Sequence, residues 1–241
     1  MTGVWRDRPL WIALALAAAT LTVAGPEAAA QTPAPTTSEE PLYLVTYVEV
    51  MPTSAEAVPP ILRRYRQATA AVPGNRRCEI VQRIGEPNQF AILEVWRDRA
   101  AAEAHARTPT WAEAREKIAA IRNAPTDERV HTALTVGPVE GTPPRGAIYV
   151  VTHVDVIPPR KDDGIAAVRR LGEESRQHTG NVRFEVVQQT NRPNHFTVVE
   201  VWRDPVAVGA HSLAPATRQF RDALAPMTGA LYDERKYRAV E

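Results

Sequence analysis

The sequence predicts an α+β protein made of two tandem copies of one β-α-β-β-α-β unit, packed against each other within a single chain. Three observations carry this. Glu94-Val95-Trp96-Arg97-Asp98 recurs unchanged as Glu200-Val201-Trp202-Arg203-Asp204. The same offset, about 106 residues, aligns the chain with itself without a gap from Tyr43 to the C-terminus, at roughly a third identity, which is the mark of a duplication. Within each copy, strand-period and helix-period hydrophobic patterns follow one another in the same order.

Residues 1–30 read as a secretory signal peptide: Arg6 and Arg8 precede an apolar run over 10–24, and Ala28-Ala29-Ala30 supplies a small-residue cleavage site before Gln31. The mature chain is expected to be periplasmic or secreted, with no stable membrane anchor once the leader is cut. Residues 31–41 are polar and rich in Pro and Thr, a composition expected to form a flexible linker. The first copy then occupies 42–136, a Gly/Pro linker 137–146, and the second copy 147–241.

The first strands, 42–51 and 148–157, alternate and end at Pro52 and Pro158. Both faces are largely apolar, which predicts a sheet covered on both sides. Helices follow over 59–71 and 163–178; Pro59 and Pro60 fit only a first turn, so the first helix is expected to begin later in its repeat than the second. Gly74-Asn75 and Gly180-Asn181 end them. Strands 77–84 and 89–97, like 183–190 and 195–203, are joined by short Pro-Asn turns and therefore form hairpins. Broken helices over 100–121 and 206–225 and last strands over 128–136 and 234–240 complete each unit. The order is that of the ferredoxin-like split βαβ arrangement, whose single sheet has one bare face for the other half to cover.

Of 241 residues, 44% are apolar and 24% charged, and the net charge of +1 offers no field to draw in nucleic acid. Cys78 stands alone, which excludes an intrachain disulfide. His105 and His211 are the histidines kept in both copies. Each has the right chemistry for a general base toward a phenol, and each could equally hydrogen-bond the neighbouring strand or glutamate as a structural residue. No carboxylate or second histidine recurs beside them at ligand spacing, so no metal is expected. Trp96 and Trp202 are core or pocket residues. Tyr43 and Tyr149, repeated on the first strand, are candidates for lining the same cavity. Glu94 and Glu200 lie between aromatics on an inward face and need partners, for which Arg115 and Arg221 are the expected salt-bridge residues. Tyr47 becomes His153 in the second copy, a hint that the two pockets differ.

A strand carrying Phe-x-x-x-Glu-x-Trp-x-Asp, a short helix ending in His105 or His211, and a proline-started helix together resemble the antibiotic biosynthesis monooxygenase family of dimeric α/β barrels, twice over nearly all of the mature chain. The resemblance implies that the family's homodimeric barrel is here an intrachain pseudo-dimer. It also implies a cofactor-independent oxidation of a small aromatic or quinol-like compound by O₂, with Trp96, Trp202, Arg115 and Arg221 in contact with substrate. Haem-degrading relatives carry their axial histidine about where Arg115 and Arg221 stand, so no haem is expected. Ile92 and Val198 occupy positions where Asn or Gln is expected, which keeps open the alternative of a small-molecule-binding barrel that has lost catalytic groups.

Overall fold

The computed structural model describes residues 40–138 and 141–241. The expected signal peptide and all but the end of the 31–41 linker lie outside the described residues.

The first half contains β1 (Leu42–Glu49), α1 (Val58–Ala70), β2 (Asn75–Arg83), β3 (Gln89–Trp96), α2 (Arg99–His105), α3 (Pro109–Ala119) and β4 (Asp127–Val136). The second repeats it with β5 (Ile148–Asp155), α4 (Lys161–Ser175), β6 (Asn181–Gln189), β7 (His195–Trp202), α5 (Pro205–Leu213), α6 (Pro215–Leu224) and β8 (Asp233–Ala239). A 3-10 turn, Pro52–Ala57, precedes α1, which starts later in its repeat than α4 because Pro59 and Pro60 sit in its opening turn.

Each half forms an antiparallel sheet, β4-β1-β3-β2 and β8-β5-β7-β6. The last strand of each half also pairs with the other half on its free edge: β4 pairs with β6, His131 opposite Gln189, and β8 pairs with β2, Val81 opposite Ala239. The eight strands therefore close into one barrel, which removes the open edges that either sheet alone would expose. The second half covers the bare face of the first by closing the sheet, not by stacking as a separate layer.

Alternation assigns the two faces. Phe90, Ile92, Glu94 and Trp96 point outward under the helices, where Val48, Val58, Leu62 and Ile80 join them. Val45, Val81, Ala91 and Leu93 point into the lumen and meet Val151, Val199, Val201 and Tyr237 of the other half. The lumen also holds a ring of four charges. Arg77 reaches Glu185 at 2.6 Å and its repeat mate Arg183 reaches Glu79 at 2.5 Å, both across the halves, while the contacts within each half are 3.4 Å.

Much of the duplicated motif serves this framework. Asp98 and Asp204 cap α2 and α5, accepting from the backbone N–H of Ala101 at 2.7 Å and Ala207 at 2.8 Å. Asn88 and Asn194 donate to the carbonyls of Val50 (3.0 Å) and Val156 (2.6 Å), pinning the hairpin turns. Gly74 and Gly180 have φ of +89° and +84°, and a Cβ on either would come within 2.6 Å of the Cβ of Ala101 or Ala207. Only glycine serves both the conformation and the close approach.

Candidate functional site

In the first half, a cavity of about 220 Å³ lies between α1, α3 and the outer face of β1, β3 and β4. Its polar lining is Thr46, Tyr65, Glu94, Trp111, Arg115, Thr126 and Glu128; Val48, Leu62, Ile92, Ala114 and Ile118 complete the wall.

Glu94 is 5% exposed and has no cation against it. The Tyr65 hydroxyl donates to its Oε1 at 2.9 Å, and His105 Nε2 lies 3.0 Å from the same hydroxyl. When Glu94 is ionised the hydroxyl hydrogen is committed to it, so His105 Nε2 then carries a hydrogen and donates to the tyrosine oxygen. This leaves Nδ1 as a bare lone pair, consistent with its lack of a hydrogen-bond partner. Behind, the imidazole stacks on Trp96 at 4.7 Å between ring centroids, 28° between planes. A line of contacts therefore runs Glu94–Tyr65–His105–Trp96 from cavity to core.

Burial pushes the Glu94 carboxyl up to about 7, against the stabilising hydrogen bond from Tyr65. Burial drives the Tyr65 phenol far above its ordinary value and holds the His105 imidazole below its own. At neutral pH, Glu94 is thus the group poised to exchange a proton beside the cavity. At the mouth, the Arg115 guanidinium stacks over Trp111, 4.3 Å from the ring centroid.

The second half keeps the frame and lacks the space. Thr152, Glu200, Arg221 and Glu234 repeat Thr46, Glu94, Arg115 and Glu128, but the void that the last three line is about 10 Å³. Ala114 has become Phe220, 4% exposed, and Thr126 has become Tyr232, which lines the remnant void. Leu171 replaces Tyr65, so Glu200 instead accepts from the Trp202 indole N–H at 2.7 Å, with His211 Nε2 at 3.5 Å. Burial takes Glu200 up to about 8 and His211 down to about 4. His211 stacks on Trp202 at 4.5 Å, and its Nδ1 lies 3.0 Å from His178 Nδ1.

Of the residues singled out from the sequence, Arg115 lines the open cavity, and Arg221 and His211 line its filled counterpart. Trp96 and Trp202 are fully buried behind the histidines, and His105 meets the cavity only through Tyr65. Two expectations are corrected. Glu94 and Glu200 form no salt bridges with Arg115 and Arg221: the arginines stand at the mouth, Arg115 on Trp111 and Arg221 within 3.3 Å of Glu234, while the glutamates sit deeper against Tyr65 and Trp202. Tyr43 and Tyr149 do not share the tryptophans' cavity, because they occupy the alternate strand positions that face the lumen. There Tyr43 packs on Val95 and Val187, and Tyr149 donates to Glu79 at 3.0 Å. Tyr65, Trp111, Ala114, Thr126 and Glu128 are not marked as site residues by the sequence. For Trp111, Ala114 and Thr126 a signal existed, since each pairs a small residue of one copy with a large one of the other, Thr217, Phe220 and Tyr232.

The family model for antibiotic biosynthesis monooxygenases matches residues 41–117 and again 147–223. A Bacillus subtilis (strain 168) protein named "Putative monooxygenase YcnE" is 31% identical over 67 residues, 28% of this chain and 70% of that protein. Among solved structures, one described as "Putative monooxygenase" from Fusobacterium nucleatum aligns over 85% of this chain and 94% of its own, with TM-score 0.76 and 15% identity. An "anthrone oxidase-like protein" aligns over 84% and 92%, with TM-score 0.67 and 13% identity. At such identities the two structures speak for the fold, and the repeated family match speaks for descent. The chain belongs to the antibiotic biosynthesis monooxygenase family, of which it carries two tandem copies closed into one barrel.

Proposed function

We propose that the first-half cavity is the working site of a cofactor-independent oxygenase that oxidises a small aromatic or quinol-like compound with O₂, one molecule per chain, in an exported compartment. The observation that carries this reading is Glu94: a buried carboxyl titrating near neutrality, hydrogen-bonded by Tyr65, on the wall of a largely apolar cavity. An apolar cavity of roughly 150 Å³ accepts benzene, so about 220 Å³ suits one or two rings.

In this mechanism the Glu94 carboxylate takes the proton of a phenolic hydroxyl. The phenolate passes one electron to O₂, and the resulting phenoxyl radical and superoxide join at a ring carbon bearing hydrogen. The peroxide recovers the proton from Glu94. Loss of that carbon's hydrogen with cleavage of the O–O bond then releases water and leaves a quinone, so one oxygen atom enters the product and the other enters water. Tyr65 positions Glu94, His105 positions Tyr65, and Trp111 with Arg115 covers the ring. A base whose pKa lies near the working pH serves both proton transfers.

Ile92 favours a second reading. It puts an apolar side chain on the cavity wall beside Glu94, where a polar group would steady the developing anion, so the cavity could bind without turnover. Oxygen uptake by the purified mature protein, treated with chelator and supplied with a panel of phenols and quinols, separates the two. Consumption with one ¹⁸O per product supports the oxygenase, and binding with no uptake supports the binding barrel.

A further inference from the structure

We infer that the second half contains a second aromatic-binding site occupied by the chain's own Tyr232, and that without this side chain the site takes a one-ring phenol of the p-cresol type. The inference concerns binding in the second half and does not depend on turnover in the first.

The polar frame is the first argument. Glu200, Arg221 and Glu234 line a spot that now holds almost no space, and Thr152 is buried on the same face of the first strand of this half. A region that served only as core would be better filled by apolar side chains, since a buried carboxyl without a cation costs stability. Four of the seven polar wall positions, Thr152, Glu200, Arg221 and Glu234, match the first copy, while Tyr65, Trp111 and Thr126 have become Leu171, Thr217 and Tyr232 and Ala114 has become Phe220.

The second argument is how Tyr232 is held. It belongs to the irregular segment between α6 and β8, next to Leu231, which is 94% exposed; Tyr232 itself is 37% exposed. It is therefore a pendant ring reaching into the frame from the surface. Arg221 lies 5.8 Å from its ring centroid and closes onto Glu234 at 3.3 Å. In the open half, Arg115 rests on Trp111 instead. Tyr232 lines the remnant void together with Glu200 and Glu234, and burial with the charges of Glu234 and Glu200 pushes its phenol up to about 12. Tyr232 thus puts a tethered phenol ring on the same small void as Glu200, in the half whose counterpart is open beside Glu94.

The test is calorimetric titration of the full mature chain with p-cresol and with p-methylanisole, which lacks the hydroxyl. Tyr232→Thr, which copies the first half, should bind one more equivalent of p-cresol than the parent. That equivalent should raise the variant's melting temperature and should bind p-methylanisole at least about tenfold more weakly, the effect of one lost hydrogen bond in a closed site. Should Tyr232→Thr fold poorly, Tyr232→Thr with Phe220→Ala reproduces the arrangement that the first half already tolerates, and p-cresol should restore its fold. Folded variants that gain no equivalent, variants that bind the ether as well as the phenol, or variants left unfolded at saturating p-cresol each overturn the inference. An added equivalent with unchanged O₂ uptake leaves it standing and bears only on the chemistry of the first cavity.

Discussion

Tyr65 donates its hydroxyl hydrogen to Glu94 over 2.9 Å, and the residue that repeats Tyr65 in the second half is Leu171, which has nothing to offer Glu200. Two glutamates in identical pentapeptides therefore sit in different chemistry. One faces an open cavity and is braced by a phenol and an imidazole; the other borders a remnant void shared with Tyr232 and leans on an indole N–H.

If Glu94 is the base, Glu94→Gln should lower turnover by about 10²- to 10⁴-fold while ligand affinity changes little. Glu200→Gln should leave turnover unaltered. His105→Ala removes a residue one hydrogen bond away from the base and should cost no more than about tenfold, or about 1.4 kcal/mol. Single-turnover kinetics on variants shown to be folded decide this. A His105→Ala protein that is folded and inactive beside an active Glu94→Gln protein would return the role to the histidine.

Stability should pass through a maximum near pH 6. Glu94 and Glu200 hold their protons more tightly folded, at about 7 and about 8, than the roughly 4.3 of an unfolded glutamate. Between those limits the folded state binds more protons, so stability from these groups is full below the unfolded value and falls as pH rises. His131, His153 and His211, held at about 4, act in the opposite sense: the unfolded chain takes up their protons first as pH drops below about 6.5. Urea midpoints measured from pH 4 to 9 should show both slopes, and Glu200→Gln should flatten the alkaline one. An alkaline slope that persists in the double glutamine variant would show that other groups cause it.

The sequence is explicit about architecture because the duplication repeats the whole pattern twice, and each repeated Gly, Asn and Asp marks a turn or cap with a definite geometry. It is less explicit about the site. Identity between the copies marks Trp96 and His105, a stacked pair that recurs as Trp202 and His211 and lies behind the cavity wall in both halves. The cavity arises where the copies disagree, at Ala114 against Phe220 and Thr126 against Tyr232. The face of Tyr43 follows from strand alternation alone, whereas the partner of Glu94 depends on how far α3 stands from β3, which no periodicity encodes.

Export is tested at the N-terminus. The basic, apolar and small-residue succession over 1–30 predicts that protein recovered outside the cytoplasm begins at or near Gln31. Edman or mass-spectrometric sequencing that finds Met1 on cytoplasmic protein would remove both the leader and the oxidising setting from this account.

The ring of charges in the lumen should hold the halves together more by the cost of breaking it than by its own strength. Glu185 is 2% exposed and accepts from Arg77 at 2.6 Å, with Arg183 at 3.4 Å. Glu185→Ala would leave two guanidinium groups, Arg183 buried and Arg77 half-buried, facing the single carboxylate of Glu79. Removing one partner of a buried pair typically costs about 3–5 kcal/mol, because the remaining charge has neither water nor a counter-ion. Replacing all four residues by apolar ones of similar volume should cost far less, since the desolvation of four charges is removed along with their attraction. Urea unfolding followed by circular dichroism should thus find the single variant much less stable than the fourfold one. Equal losses in the two would mean that the ring is net stabilising as an intact unit. A single variant as stable as the parent would mean that water reaches the lumen and already screens these charges.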